Sequence, residues 1–140
     1  MVAYSFKKRF SPRIEDGTKI GTIRGDRKRH ARVGEAVQLY QGMRTRFCRK
    51  IIPDPICVAV KPIRLHIETD QMAFVGAGVF PGVEAALEPA SFNTFARQDG
   101  FDDMADMHAF WLKEHGTGVF RGFWILWAEL SDQELGALAA

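Results

Sequence analysis

The chain has 140 residues, 46% of them hydrophobic, which is enough for one real core and argues against two. The apolar stretch Gly122 to Ala128 is too short to cross a bilayer. No apolar run follows the basic start (Lys7, Lys8, Arg9), so a cytoplasmic protein without a secretory signal is expected. The formal charge of +2 hides a split: residues 1 to 50 hold 14 Lys/Arg against four acids and carry +10, while the remainder carries −8. Such a split predicts either a basic face for phosphates or a basic part folded against an acidic one.

In chain order, Tyr4 to Phe10 mixes aromatics with cations on a strand-like stretch. Ser11-Pro12 then offers an N-cap followed by proline at the first helical position, and Gly17 closes a short helix. The β-branched residues of Thr18 to Arg24 predict a strand in which Gly21 marks a bulge or a close backbone approach. Gly25 to Arg32 reads as a basic loop. Val33 to Tyr40 and Arg46 to Ile52 are expected to pair as strands through Gln41-Gly42-Met43, with Pro53 and Pro55 closing the second. Cys48 and Cys57 are expected to be buried free thiols, since structural disulfides are rare in a reducing compartment.

Two further strands are predicted at Ile56 to Val60 and Ile63 to Ile67. Phe74 to Val83, with Gly76, Gly78 and Gly82, reads as a loop. Its G-x-G is not a nucleotide fingerprint, because no βαβ unit surrounds it. Helices follow at about Pro89 to Gln98 and Asp102 to His115, ended by Gly100 and Gly116, with Asp102 as a cap. Val119 to Leu130 is the last strand, apolar enough to be covered on both faces. No linker or repeat divides the sequence, so one domain over residues 1–140 is expected. Strands with only two or three short helices fit an α+β architecture: a small, partly open β-barrel of about five to six strands with helices at its ends.

The segment Gly17-Thr-Lys-Ile-Gly-Thr-Ile-Arg24, followed by Val33-Gly-Glu-Ala-Val-Gln-Leu39, resembles the ASCH domain, a PUA-like fold. That family's signature is G-x-K-x-x-E-x-R after a short helix, then a G-D/E strand start. Gly17, Lys19 and Arg24 match it, while Thr22 stands where the signature has glutamate. A small bacterial subgroup also has threonine there. Its members are N4-acetylcytidine amidohydrolases that use a lysine, that threonine and a downstream glutamate. The nearest match to that glutamate is Asp99 in Arg97-Gln-Asp99-Gly, one methylene shorter. Other ASCH proteins are known or suspected RNA binders, and one bacterial branch has been described as ribonucleolytic. The clear resemblance covers about 35 residues, so fold transfers better than activity.

The resemblance implies catalytic roles for Lys19, Thr22 and Asp99. Hydrolysis of an amide without metal needs a nucleophile, a base and donors for the oxyanion. Thr22 would be the nucleophile and Lys19 the base, its pKa lowered by partial burial and by Arg24, Arg27 and Arg29, and raised by Asp99. On a regular strand residues 19 and 22 point to opposite faces, so the chain must turn or bulge between them. Arg24, Arg27, Lys28, Arg29, Tyr40 and Arg44 are the expected nucleoside- or RNA-binding residues. Tyr4, Phe6, Tyr40 and Trp127 are candidate stacking platforms, with Tyr40 favoured. Trp111, Trp124 and most phenylalanines are expected to be core.

The histidines His30, His66, His108 and His115 show no ligand spacing, so neither a metal nor a cofactor is expected, although His108 and His115 could share a helix face. The leading expectation is an RNA- or nucleoside-binding protein that hydrolyses an N4-acylated cytosine or related amide. Two readings stand beside it. One is a non-catalytic RNA-binding module. The other is a metal-independent ribonuclease, with Lys19, Arg24 and Tyr40 stabilising a phosphate transition state.

Overall fold

The computed structural model describes residues 2–25, 27–75 and 89–128. Strand β1 (Val2–Phe6) buries Val2, Tyr4 and Phe6 on one side, the period-2 pattern of a sheet with one covered face. A 3-10 turn (Lys8–Phe10) leads into the short helix α1 (Ser11–Glu15). Phe10, not Ser11, occupies the N-cap position. The Ser11 hydroxyl instead donates to Oε1 of Gln41 at 2.7 Å, tying α1 to a neighbouring strand.

β2 is shorter than expected, Gly21–Arg24, because the amides of Lys19 and Ile20 are taken by the carbonyls of Arg13 and Gln98. β3 (Val37–Gln41) pairs parallel with β1 and antiparallel with β4, which is only Arg49–Lys50. The predicted strand from Arg46 is lost to turns in which the amides of Thr45 and Cys48 bond the carbonyls of Gly42 and Thr45. Arg44 adopts a φ of 66° there.

The two strands predicted between Ile56 and Ile67 are one, β5 (Ala59–Ile67), with Ile63, Leu65 and Ile67 buried. It is followed by β6 (Met72–Val75), which the loop expectation from Phe74 onward missed. Phe74 is fully buried against Phe95, and residues 76–83 lie outside the described residues. The helices α2 (Pro89–Gln98) and α3 (Met104–His115) fall close to the expected bounds. The cap of α3 is Asp103, whose side chain accepts from the Asp106 amide, while Asp102 is ion-paired with Arg13. The last strand, β7, runs Gly118–Leu126. It is covered on both faces only in its second half, since Val119 is 52% exposed and Trp124 to Leu126 are buried.

The fold is α+β, with three α-helices and two sheets among the described residues, the sheets ordered β1-β3-β4 and β2-β7-β5-β6. Among the described residues the two sheets are not closed into a barrel, where one partly open barrel was expected. One hydrophobic cluster joins them, with Tyr4, Phe6 and Leu39 from the first and Leu65, Phe74 and Trp124 from the second. Gly21 and Gly122 permit close approach within the larger sheet: a β-carbon at 21 would lie 2.8 Å from the Ile125 carbonyl, and one at 122 only 2.3 Å from the Arg24 carbonyl. No helix among the described residues is long and apolar enough to cross a membrane.

Candidate functional site

The segment leaving α1 carries Lys19 inward. Gly17 turns the chain with φ 84°, and the backbone bonds of residues 19 and 20 clamp it between α1 and the end of α2. Lys19 precedes β2, so strand alternation does not force it away from Thr22, and both residues line one cavity of about 440 Å³. That size falls within the range of small-molecule sites.

Lys19 and Asp99 form a buried ion pair. The Lys19 ammonium donates to Oδ1 of Asp99 at 3.0 Å and also to its backbone carbonyl, with the two side chains 3% and 4% exposed. The rings of Phe6 and Phe10 stand 5.5 and 5.0 Å from the ammonium. Burial pushes the Lys19 pKa below its ordinary value; Asp99 opposes this, and Arg24 and Arg9 add to it. Burial raises Asp99 against the opposite pulls of Lys19 and Arg24. Each partner is therefore moved toward its neutral form.

Thr22 and Arg24 are two residues apart on β2, hence on the same face. The Thr22 hydroxyl oxygen accepts from Nε of Arg24 at 3.1 Å, and Nη2 of Arg24 donates to the Ser5 carbonyl at 2.7 Å. The guanidinium also lies over the rings of Phe6 and Tyr4, at 4.9 and 5.5 Å.

The opposite wall comes from α3 and β7. Trp111 is buried, as its core reading requires, yet it lines the cavity, its ring stacked on His115 at 4.5 Å and beside Phe120 at 4.7 Å. At this side Lys7 is ion-paired with Glu114 at 2.5 Å. The signal for this wall was the run Phe110-Trp111 with His115 one turn on, read as core because periodicity does not show which buried rings border a cavity. His108 points elsewhere, its Nε2 donating to the Glu68 carbonyl at 2.6 Å.

Of the predicted site residues, Lys19, Thr22, Asp99 and Arg24 share the cavity. Arg27 does not line it; it is exposed, with its guanidinium over the Tyr4 ring at 5.2 Å. Lys28 is exposed, and Arg29 is paired with Glu35. Tyr40 belongs to the other sheet, 5.6 Å from the Lys50 ammonium, and Arg44 is exposed in the β3–β4 turn; neither lines the cavity. Among the stacking candidates Phe6 lines it, whereas Tyr4 and Trp127 are buried, Trp127 edge-on to Phe6.

The charge split is partly resolved inside the molecule, by Lys7–Glu114, Arg9–Asp106, Arg13–Asp102 and Lys19–Asp99 pairs between the basic and acidic parts. Both cysteines are free; Cys57 is buried as expected, but Cys48 is exposed because its stretch turns rather than pairs. Among the described residues no three His, Cys, Asp or Glu side chains gather as a metal site. No family model, curated protein or solved structure matches the chain.

Proposed function

We propose that this chain is a metal-independent hydrolase of the ASCH, PUA-like type, acting on the N4-acyl amide of a cytosine nucleoside. The family reading rests on the Gly17-x-Lys19-x-x-Thr22-x-Arg24 signature. The activity rests on one observation: Lys19, Thr22 and Arg24 from one short segment and Asp99 from the turn after α2 line a single aromatic-walled cavity.

In this reading the neutral Lys19 amine takes the Thr22 hydroxyl proton, and the Thr22 oxygen adds to the acyl carbon. The hydrogen bond from Arg24 into the Thr22 oxygen makes that hydroxyl more acidic. The carbonyl electrons move onto oxygen and meet the remaining N–H groups of Arg24. The carbon–nitrogen bond then breaks, N4 receives the proton from Lys19, and cytidine leaves. Water, deprotonated by Lys19, cleaves the acyl-threonine ester to give the free acid and Thr22. Asp99 holds Lys19 in place throughout. The ribonuclease constellation of Lys19, Arg24 and Tyr40 has less support, because Tyr40 does not line the cavity. The test is incubation of the protein with N4-acetylcytidine and chromatography for cytidine. Release supports the reading; tight binding of cytidine without release turns the site into a binding pocket.

A further inference from the structure

The ion pairs of the cavity leave one cation over. Lys19 is balanced by Asp99 and Lys7 by Glu114, whereas Arg24 touches only neutral acceptors, the Thr22 hydroxyl and the Ser5 carbonyl. Among the described residues no carboxylate stands within ion-pair distance of it. Among the described residues seven other basic side chains have such a partner, Lys7, Arg9, Arg13, Lys19, Arg29, Arg49 and Lys50. Arg27 adds a second charge nearby that has no carboxylate partner among the described residues, since both guanidinium groups lie over the Tyr4 ring at 5.5 and 5.2 Å. A guanidinium held away from bulk water, balanced only by the more distant charge of Asp99 that Lys19 already engages, is costly, and its fork matches the two oxygens of a carboxylate or phosphate.

We infer that Arg24, assisted by Arg27, is an oxyanion subsite of the cavity, taking either a phosphate carried by the nucleoside or the carboxylate of the released acid. The inference deepens the proposed function and rests on it only for the neutral part of the ligand. A nucleoside that seats a 5′-phosphate on Arg24 turns its N4 end away from Thr22 and so binds more tightly than the nucleoside as an inhibitor, or the acid product inhibits by occupying Arg24. Arg24 keeps N–H groups free for this, because its two bonds use only Nε and one hydrogen of Nη2.

The experiment is calorimetric titration of the full chain with cytidine, cytidine 5′-monophosphate, inorganic phosphate and acetate, repeated on Arg24→Gln, Arg24→Lys and Arg27→Gln. If the phosphate is the source, the monophosphate binds at least about tenfold tighter than cytidine, and Arg24→Gln removes the difference. If the carboxylate is the source, acetate binds and competes with inorganic phosphate, again only while Arg24 is present. Arg24→Lys, which keeps the charge and loses the fork, retains part of the preference. Arg27→Gln, an exposed change, weakens the anions by a few-fold and leaves cytidine unchanged, and it decides the matter should Arg24→Gln fail to fold. The inference is overturned if neither anion binds, or if both bind equally well to the Arg24 variants. Anion binding through Arg24 in a protein that releases no cytidine from N4-acetylcytidine would leave the subsite standing and remove the hydrolase reading. Release without anion binding would do the reverse.

Discussion

Gly100 and Lys19 are packed so closely that a β-carbon at position 100 would lie 2.7 Å from Cδ of Lys19 and 3.0 Å from the Phe10 ring. The backbone at Gly100 has a φ of 95°, a region that residues with a β-carbon rarely adopt. Gly100→Ala therefore meets backbone strain and displaces the stem of the buried lysine. A loss of about 2 kcal/mol or more is expected in urea unfolding. Weaker binding of cytidine should accompany it. A loss under about 0.5 kcal/mol would show that the turn after α2 relaxes without moving Lys19.

The Lys19–Asp99 pair predicts crossed pH dependences in its two half-removed variants. Either Asp99→Asn or Lys19→Met leaves one group buried without its partner and should cost about 3–5 kcal/mol near neutrality. In Lys19→Met the remaining Asp99 has a folded pKa raised above its ordinary 3.8, so the folded state holds the extra proton. The deficit of that variant shrinks as pH falls through the raised value toward 3.8. In Asp99→Asn the remaining Lys19 has a folded pKa below its ordinary 10.5, so the unfolded state holds the extra proton. Its deficit shrinks as pH rises from the lowered value toward 10.5. Urea midpoints across pH read both slopes, and parallel slopes would refute the pair as the cause.

Where the sequence was legible, local chemistry and tertiary packing agreed. The glycines at 17, 100 and 116 turn the chain with positive φ at the predicted ends of α1, α2 and α3. Gly21 makes the close approach that a glycine inside a strand suggests. Strand extents were less legible, because pairing partners decide them: β4 shrank to two residues while two predicted strands fused into β5 opposite the long β7. β6 escaped notice because the glycines after it dominated the reading of Phe74. In the site, Lys19, Thr22, Arg24 and Asp99 were found through a signature. The wall from Trp111 to Phe120 was not, since a ring beside a cavity and a ring in a core have the same pattern in one dimension.

Trp124 is fully buried on the central strand β7, its ring 4.9 Å from that of Phe95. Trp124→Ala should cost roughly 3–5 kcal/mol, while Trp124→Phe should cost clearly less. The indole N–H has no hydrogen-bond partner among the described residues, so its removal relieves an unsatisfied donor. Urea unfolding of the two variants tests this, and equal losses would contradict it.

RNA binding, if the basic loop carries it, divides by which of its cations are free. Arg29 is engaged by Glu35, whereas Lys28 is exposed and Arg27, among the described residues, meets only the Ala3 carbonyl and the Tyr4 ring. Changing Arg27 and Lys28 together to glutamate should weaken binding and flatten the salt slope by roughly 1.4, as expected for two lost contacts to a single strand. Adding Arg29→Gln should change the slope little. Filter binding at several salt concentrations measures each slope, and an unchanged slope for the double variant removes the loop from the footprint.

Catalysis gives the most demanding prediction. Thr22→Ala and Lys19→Met should each abolish cytidine release from N4-acetylcytidine, and the double variant should be scarcely worse than either, because groups that act as one unit are not additive. Thr22→Ser keeps the hydroxyl beside Arg24 and should retain measurable turnover, which separates loss of the nucleophile from loss of packing at a buried position. Arg24→Ala should lower turnover and also raise KM, since the guanidinium serves both the oxyanion and the bound ligand. Wild-type turnover should rise with pH through the lowered pKa of Lys19, because only the neutral amine accepts the Thr22 proton. Asp99→Asn removes the group that holds this pKa up, so the rise should begin at lower pH in that variant. The measurement is initial rate against pH for wild type and Asp99→Asn, and a rise that begins at the same pH in both would exclude Lys19 as the base.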